Sequence, residues 1–301
     1  MTGPQLTTID TLIDRYEALL IDAFGVLLTS EGLLPGAAAL VNRLNALGKP
    51  WVILTNDASR PPETSLSWYL DLGLDVRPDQ IVSSGSLLVP HFARLGLVGA
   101  PTICLGPEGS RRYVERAGGA LVDFDDDSAE VVVAGDDAGF PFLEGVEATL
   151  STLCRRADAG LTTHLVLPNP DLIYPRGPGR FGLTSGSIAL LLEAALELRY
   201  PDRPELRFER LGKPHAPIYQ AAVERVGTRD ALMIGDQLHT DILGAAAFGL
   251  DSALVATGLA RSTSAEALGA DTQGGLWRAS IDKALGGGKV VSPTWLLDGL
   301  T

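Results

Sequence analysis

The stretch that decides the fold is residues 19–28, which read L-L-I-D-A-F-G-V-L-L. An apolar run ends abruptly in Asp22, and Gly25 permits a turn before the chain becomes apolar again. Short apolar runs bounded by turn residues are typical of buried parallel strands. Open α/β sheets bind their ligands at the carboxyl ends of such strands, which makes Asp22 a candidate functional residue. An aspartate that merely begins a turn would explain this stretch alone equally well.

The bulk composition narrows the class of protein. The chain has 301 residues, of which 46% are hydrophobic and 20% charged, as in a globular protein of one large domain or two ordinary ones. No apolar stretch approaches the roughly 18–20 residues that cross a membrane, and we expect no signal peptide. Cys104 and Cys154 are too few for a disulfide framework or a thiolate metal site, so we expect a cytoplasmic protein. The net charge of -13 argues against non-specific binding to nucleic acid or membrane surfaces.

Short apolar runs alternate with helical periodicities along most of the chain. Strands are predicted at residues 18–21, 51–54, 102–105, 131–134, 164–167, 207–210, 231–234 and 252–256. Helices are predicted around residues 7–17, 35–47, 63–72, 87–95, 108–117, 143–156, 187–198, 217–226 and 241–248. This alternation predicts an α/β fold whose core is a doubly wound, Rossmann-like parallel sheet.

The loops suggest how the chain divides into domains. Residues 123–127 are acidic and residues 168–178 are rich in proline and glycine, so both are predicted to be loops. Residues 200–204, Y-P-D-R-P, cannot form regular structure and are predicted to be a linker. We therefore predict a core made of residues 1–85 and 205–301, with an α/β domain of residues 86–204 inserted into it.

Polar side chains follow the predicted core strands and turns in a definite order. They are Asp22, Thr55 with Asn56, Lys213, and Asp236 with Asp241. In a doubly wound sheet such strand ends converge on one crevice. Carboxylates without clustered histidine or cysteine form a hard-oxygen site that suits Mg²⁺ rather than zinc. With a lysine for charge and a threonine hydroxyl for phosphate oxygens, the set suits phosphoryl transfer.

Four segments resemble, in order, the motifs of the haloacid dehalogenase superfamily, and specifically its nitrophenyl-phosphatase-like branch of Mg²⁺-dependent phosphatases. They are I-D-A-F-G-V-L from residue 21, I-L-T-N-D-A-S-R from 53, L-G-K-P-H-A-P-I-Y from 211 and I-G-D-Q-L-H-T-D-I-L-G-A from 234. The long insertion resembles the type-IIA α/β cap domain of that branch, through V-L-P-N-P-D from residue 166 and G-L-T-S-G-S-I-A from 182. The likeness covers nearly the whole chain.

The resemblance implies a role for each matching residue. Asp22 would be the nucleophile that forms an aspartyl-phosphate, and Thr55 and Lys213 would bind the transferring phosphoryl group. The implied Mg²⁺ ligands are the carboxylates of Asp22, Asp236 and Asp241 and the main-chain carbonyl of Phe24. The expected contacts to a small-molecule phosphate ester are Thr55, Asn56, Lys213, Asn169, Asp171 and Arg176. An exposed basic loop would explain Arg176 equally well, and a homodimer formed through the cap is a candidate assembly.

One position departs from the family pattern. These phosphatases usually carry D-x-D-G, whose second aspartate is the general acid and base, whereas this chain has D-A-F-G with Phe24 at that place. A positioned acid or base contributes roughly 10²–10⁴-fold to the rate. Asp57 and His239, each beside a key motif, are candidate substitutes.

Phe24 also leaves two alternative functions open. Dehalogenases of the superfamily carry an aromatic residue at this position, which makes halide displacement the alternative reaction. Asp236 and Asp241 favour the phosphatase, because a Mg²⁺-free dehalogenase would not need them. The other alternative is a catalytically impaired protein that binds a phosphorylated ligand, although such a binder has no need of Asp22.

Overall fold

The computed structural model describes residues 4–177, 179–255 and 291–300, and the chain packs as two units. The first unit is Met1–Thr55, Leu66–Val82 and Lys213–Thr301, and the second is Asn56–Ser65 and Ser83–Gly212. The second unit is therefore larger than the predicted insertion of residues 86–204. The difference arises because residues 56–65, 83–85 and 205–212, assigned from the sequence to the core, pack with the second unit.

A seven-stranded sheet forms the centre of the first unit. In order across the sheet its strands are β1 (Gln5–Thr7), β16 (Trp295–Leu297), β15 (Asp251–Val255), β14 (Ala231–Gly235), β2 (Ala18–Ile21), β5 (Trp51–Thr55) and β6 (Ile81–Ser83). Strand β2 pairs in parallel with β14 on one side and with β5 on the other, so that Ile21 lies opposite both Ile234 and Ile53. Every residue of these three strands is buried, which explains their unbroken apolar sequences.

Helices and short turns connect these strands. The helices are α1 (Ile9–Arg15), α2 (Ala37–Ala46), α3 (Pro62–Asp71, which belongs to this unit from Leu66 onward), α8 (Ala216–Val226) and α9 (Leu243–Phe248). A 3₁₀ turn, Pro78–Gln80, precedes β6, and a small hairpin joins β3 (Leu28–Thr29) to β4 (Gly32–Leu33). Thr8 caps α1, as its sequence predicts, by accepting a hydrogen bond from the Thr11 amide at 3.4 Å.

The second unit has a five-stranded sheet of its own, in which every described pair is parallel. Its strands, in order, are β13 (Glu209–Arg210), β10 (His164–Leu167), β9 (Val131–Ala134), β7 (Pro101–Leu105) and β8 (Ala120–Leu121). Its helices are α4 (Leu88–Leu95), α5 (Glu108–Arg116), α6 (Phe142–Asp158) and α7 (Ser185–Arg199), and a 3₁₀ turn, Ser84–Leu87, precedes α4. The unit is thus a second α/β layer structure with its own apolar core.

Several sequence predictions need correction here. The predicted loop of residues 168–178 contains strand β11 (Ile173–Gly177), which forms an antiparallel pair with β12 (Arg180–Leu183). Both strands are largely exposed, so no apolar alternation revealed them. The predicted strand 207–210 is reduced to Glu209–Arg210, and in the predicted strand 252–256 residue 256 lies outside the described residues. Strands of two or three residues, such as β1 and β8, are too short for a periodicity to predict them.

Helix α4 buries a histidine, His91, in an unusual environment. Its Nδ1 lies 3.2 Å from the Arg94 guanidinium and 3.7 Å from the Glu209 carboxylate. Its Nε2 has no hydrogen-bond partner among the residues that the structure describes. Burial lowers the pKa of His91; Glu209 opposes this shift, and the charges of Arg94 and His164 reinforce it.

Within the described ranges, none of the helices combines the length and the apolar character that a bilayer span requires.

Candidate active site

Three neighbouring strands of the first unit bring Asp22, Thr55 and Asp236 to one edge of the sheet. Asp22 follows β2, Thr55 is the last residue of β5, and Asp236 follows β14. The Asp22 amide donates to the carbonyl of Ile234 at 2.9 Å, which continues the β2–β14 pairing up to the functional residue. Because the strands are parallel, their carboxyl ends coincide, as expected for a ligand site in a sheet of this kind.

Lys213 connects two of the carboxylates. Its Nζ lies 2.7 Å from Oδ1 of Asp22 and 2.7 Å from Oδ1 of Asp241. The five polar side chains at this edge are all buried, with exposed fractions of 5% for Asp22, 7% for Thr55, 3% for Lys213, 2% for Asp236 and 0% for Asp241. A lysine predicted on a turn is therefore an interior cation held between two anions.

A π-helical turn, Leu238–Ile242, positions Asp241. The Gln237 amide donates to Oδ2 of Asp241 at 3.1 Å, and the hydroxyl of Tyr219 on α8 donates to the carbonyls of Thr240 and Asp241 at 3.1 and 3.0 Å. The predicted helix 241–248 is therefore shorter than expected, since the α-helix begins only at Leu243. Short π turns occur frequently at functional sites.

Two glycines allow the carboxylates to come this close to the backbone. Gly25 has a φ of 85°, and a Cβ at this residue would lie 2.2 Å from Oδ2 of Asp236. A Cβ at Gly235 would lie 2.3 Å from the Cβ of Asp241. Any larger residue at either position would displace a carboxylate, so the sequence around the cluster is constrained by space as well as by charge.

The cluster has the chemistry of a divalent-cation site. Asp22, Asp236 and Asp241 can each offer a carboxylate oxygen, and these oxygens lie within 4.8 Å of one another. When all three carboxylates are ionised, Lys213 offsets only one of the negative charges, so a doubly charged cation would neutralise the rest. Carboxylate oxygens are the donors that Mg²⁺ prefers, and the donor set therefore fits that ion.

Burial and charge act against each other at the bridge between Asp22 and Lys213. Burial and the negative charge of Asp241 raise the pKa of Asp22, whereas the positive charge of Lys213 lowers it. Burial is the largest of these effects, and the pKa is raised to about 7. Burial would lower the pKa of Lys213, but Asp22 and Asp241 together raise it above the ordinary lysine value. Lys213 therefore stays charged and favours the carboxylate form of Asp22.

Phe24 lies in an aromatic group beside the cluster. Its ring stacks on that of Trp68 in α3, with a centroid separation of 5.9 Å and an interplanar angle of 23°. Trp68 in turn contacts Tyr69, whose ring centroid is 5.1 Å away. Trp68 was not predicted as a site residue, because the sequence has no signal that pairs helix α3 with the turn after β2.

Three of the expected substrate contacts lie together in the second unit. The Asn56 side chain donates to Oδ1 of Asp171 at 3.0 Å, and the Asp171 amide donates to Oδ1 of Asn169 at 3.0 Å. Ser185, the first residue of α7, donates its hydroxyl to the Asn169 carbonyl at 3.0 Å. These bonds order the loop after β10, and they give the asparagines a structural task.

Arg176 lies on the exposed strand β11, where its guanidinium donates to the hydroxyl of Tyr174 at 2.6 Å and covers that ring at 5.3 Å. A Cβ at Gly182 on the opposite strand would lie 2.4 Å from the Tyr174 ring, so the glycine makes room for the pair. Both sequence interpretations of Arg176, substrate contact and exposed basic loop, are compatible with this exposure.

Known proteins resemble the chain over almost its full length. The model of the family described as haloacid dehalogenase-like hydrolase matches residues 19–120, and a HAD-hydrolase-like model matches residues 210–275. A solved structure from Cytophaga hutchinsonii ATCC 33406, a "possible sugar phosphatase, HAD superfamily", is 31% identical and has a TM-score of 0.79, with 99% of each chain covered. The chain belongs to the haloacid dehalogenase superfamily.

Other members of the superfamily extend the likeness. A p-nitrophenyl phosphatase from Archaeoglobus fulgidus is 25% identical with a TM-score of 0.74, and 95% of this chain and 97% of that chain are covered. An acid sugar phosphatase from Staphylococcus aureus (strain MRSA252) is 27% identical over 247 residues, which span 81% of this chain and 88% of the relative. The predicted membership in the nitrophenyl-phosphatase-like branch is thereby confirmed, and the chain is a hydrolase of this superfamily.

The structure also bears on the two candidate substitutes for the missing acid. Oδ1 of Asp57 accepts from the Ser59 amide and hydroxyl at 2.8 and 2.9 Å and from the Arg60 amide at 3.1 Å, and Oδ2 pairs with the Arg60 guanidinium at 2.5 Å. These four bonds give the Asp57 carboxylate the structural task of ordering its own loop. His239 is exposed on the π-helical turn and remains the more accessible of the two.

Tyr219, the last residue of the L-G-K-P-H-A-P-I-Y segment, supports the cluster although it was not predicted as a site residue. Its hydroxyl bonds, described above, support the main chain of the turn that carries Asp241. A Cβ at Gly244 would lie 2.5 Å from that hydroxyl, so the glycine in the I-L-G-A segment admits the tyrosine. The sequence signal was the tyrosine six residues after Lys213, but only the fold relates it to Asp241.

Proposed function

We propose that this chain is a Mg²⁺-dependent phosphatase that hydrolyses a small phosphate ester through an aspartyl-phosphate on Asp22. The observation that carries the proposal is the buried cluster in which Lys213 bridges Asp22 and Asp241 beside Asp236. The acid sugar phosphatase and the p-nitrophenyl phosphatase among its relatives support a phosphate ester as the substrate.

In this proposal the metal site consists of the carboxylates of Asp22, Asp236 and Asp241 and the main-chain carbonyl of Phe24. Bound Mg²⁺ supplies a Lewis acid that neutralises negative charge on the phosphoryl oxygens. The close approaches at Gly25 and Gly235 keep the carboxylates in place for this role.

The reaction has two steps. In the first, the Asp22 carboxylate attacks phosphorus, the bond from phosphorus to the ester oxygen breaks, and the leaving oxygen keeps the electron pair. Thr55 and Lys213 bind the phosphoryl oxygens, and Lys213 also holds Asp22 in its carboxylate form. In the second step, water attacks the aspartyl-phosphate, which releases inorganic phosphate and restores Asp22, while the proton of the water passes to phosphate or solvent.

The second unit would act as the cap of this enzyme. We assign Asn56, Asn169, Asp171 and Arg176 to the recognition of the leaving group, as the family resemblance implies. The position of Asn169 and Asp171 in a loop directly after strand β10 supports this assignment, since such loops carry binding residues in α/β folds.

Turnover of 4-nitrophenyl phosphate tests the proposal. We expect activity with Mg²⁺ and none in EDTA, and we expect Asp236→Asn to abolish it because the site loses an anionic ligand. Asp14→Asn is the matched control, since Asp14 is an exposed aspartate on α1 that lies outside the four motif segments. Rapid quenching followed by mass spectrometry should find a phosphorylated Asp22 peptide.

The alternatives give different results in the same experiments. Full activity in EDTA, together with halide release from a 2-halo acid, would replace the phosphatase by a dehalogenase. Absence of all turnover with retained binding of inorganic phosphate would identify an impaired binder of phosphorylated ligands.

We also infer a homodimer formed through the cap and retain the cytoplasm as the expected location. Leu172, Ile173, Phe181 and Leu183, on and beside the β11–β12 pair, are 48–56% exposed, and such apolar patches are typical of interfaces. Light scattering on the purified chain should give twice the chain mass of 31.7 kDa, and Phe181→Glu should give the monomer. A monomeric wild type would refute this assembly.

A further inference from the structure

A cavity of about 220 Å³ lies at the amino end of strand β5, within the first unit. Its walls come from three segments, which are the end of α2 with the turn into β5, the 3₁₀ turn before β6, and the last residues of α8. Trp51, the first residue of β5, lines the cavity, whereas Thr55, the last, lies at the edge that carries Asp22. A strand of this length spans about 13 Å, so the cavity is separate from the candidate active site.

The inner wall of the cavity is held by a hydrogen-bonded network. Trp51 and Gln80 are 2% and 3% exposed, and their side chains donate to Oδ1 of Asn45 at 3.0 and 3.1 Å. Oε1 of Gln80 accepts from the Arg77 amide at 2.9 Å, which ties the 3₁₀ turn to this wall. Nδ2 of Asn45 donates to the Asp75 carbonyl at 2.6 Å. The wall is therefore ordered in advance, and a ligand would bind without the cost of ordering it.

The cavity is positive, although the chain as a whole is acidic. The charged side chains that line it are those of Lys49, Arg77 and Arg225, which are cations, and that of Asp79. The carboxyl ends of α2 and α8 add roughly half a negative charge each, which leaves an excess of about one positive charge. The net charge of the whole chain is -13, so the sign of the charge is reversed locally, and such a site attracts anions.

The three cations retain donors for an anion. Arg225 donates through Nη1 to the Asp79 carbonyl at 3.0 Å, and Nε of Arg77 lies 3.3 Å from Oδ1 of Asp79. A guanidinium group has five N–H donors, and each of these contacts uses one. The pair of Arg77 with Asp79 is exposed, and exposed pairs are weak enough for another anion to compete. In the described part of the chain, the Lys49 side chain has neither an ion pair nor a hydrogen bond.

We propose that this cavity is a second ligand site, distinct from the carboxylate cluster, that binds a small phosphate-type dianion. Guanidinium forks match pairs of phosphate oxygens, and the lysine adds a point charge beside them. The cavity is smaller than the roughly 300–1,000 Å³ of sites for drug-sized ligands, which favours a small anion over a nucleotide. The site does not depend on the reaction assigned to Asp22.

Titration of the full chain with inorganic phosphate in EDTA, at about pH 8 and low ionic strength, tests this site by ³¹P NMR. Without Mg²⁺ the carboxylates of Asp22, Asp236 and Asp241 repel the anion, so binding reports on the cavity. We expect a Kd on the order of 1 mM, as a few charge-assisted hydrogen bonds would give. Arg225→Gln and Lys49→Gln should each weaken binding roughly 5- to 10-fold.

Asp79→Asn should act in the opposite direction and tighten phosphate binding roughly 3-fold, because it removes a negative charge from the wall. Arg229→Gln is the matched control, since Arg229 is also an exposed arginine that donates to a main-chain carbonyl, that of Phe248, but does not line the cavity. Its phosphate affinity should equal that of the wild type.

Two results would overturn this second site. One is the absence of phosphate binding by the wild type in EDTA, and the other is binding that Arg225→Gln and Lys49→Gln leave unchanged. The cations would then serve only to offset the carboxyl ends of α2 and α8. Neither result bears on the phosphatase proposal, which is tested by turnover in Mg²⁺, and a failure of that turnover would leave the cavity unaffected.

Discussion

Phe24→Asp is the substitution that tests this active site most directly, because it places a carboxylic acid where related phosphatases carry one. Leaving oxygens of simple alkyl and sugar esters need a proton, whereas nitrophenolate leaves without one. We therefore expect wild-type kcat/KM to fall steeply as the leaving-group pKa rises. In Phe24→Asp, kcat/KM for an alkyl phosphate should rise roughly 10²-fold, the lower end of the range for a positioned acid. The lower end applies because Asp22, Asp236 and Asp241 already crowd the site with negative charge.

The same substitution has a cost in stability that the structure allows us to work out. The Phe24 side chain is 41% exposed, so its burial contributes a little over half the value of a fully buried phenylalanine, about 1–2 kcal/mol. Loss of the stack with Trp68 adds about 0.5–1.5 kcal/mol. The free energy of unfolding of the variant should therefore be roughly 2–3 kcal/mol lower, and its Tm about 4–12 °C lower, than in the wild type.

Phe24→Asn is the matched control, since it removes the same ring and has nearly the same shape but cannot donate a carboxyl proton. It should reproduce the loss of stability without the gain on alkyl esters. The assay is a series of phosphate monoesters with graded leaving-group pKa, measured on all three proteins. Equal alkyl rates in the Asp and Asn variants, or a flat wild-type series, would refute this account of Phe24 and point to a donor such as His239.

Three further substitutions test the cluster and the cap. Lys213→Met should abolish turnover. In EDTA it should also lower the free energy of unfolding by about 3–5 kcal/mol, because the buried carboxylates lose the lysine that neutralises them. Calorimetry with and without Mg²⁺ measures this loss. Gly25→Ala should weaken Mg²⁺ binding in titration calorimetry, whereas Gly32→Ala, which also has a positive φ but open space around its Cβ, should not. His91 has a lowered pKa, so it contributes stability above about pH 6.5 that is lost as pH falls through the lowered pKa. His91→Leu should therefore flatten the fall in urea stability between pH 8 and pH 5, and an unchanged fall would refute this role of the histidine.

The sequence predicted which polar side chains meet at one edge of the sheet, for a physical reason. A parallel strand buried on both faces must be apolar throughout, so the first polar residue after it marks the carboxyl end. Asp22 and Asp236 each follow such a run, and the register of β2 with β14 brings them together. Lys213 follows no long strand, so its place in the set was predicted only from a turn after the predicted strand 207–210, and the superfamily motif then implied its role.

Features that depend on contacts between distant, weakly patterned segments could not be predicted. The Phe24–Trp68 stack, the Asn56–Asp171 bond and the support of Asp241 by Tyr219 each join residues whose local sequences carry no matching signal. The second unit and the predicted insertion differ for a similar reason, since strand β13 has only two residues and pairs with β10, and residues 205–212 pack with that unit. Hydrophobic periodicity indicates which face of a helix or strand is buried, but it does not indicate which other elements pack against that face.

The energetics of the cluster argue that it exists for chemistry. Three carboxylates and one ammonium lie buried within a few ångströms, and removing charges from water costs more than their mutual attraction usually returns. Gly25 and Gly235 add conformational freedom to the unfolded chain without adding a side chain to the core. The fold itself gains nothing from this arrangement, and in the proposed function a cation and an anionic substrate would complete it. Phe24 fits the same proposal, because a nucleophile without a proton donor is useful for esters that leave unprotonated.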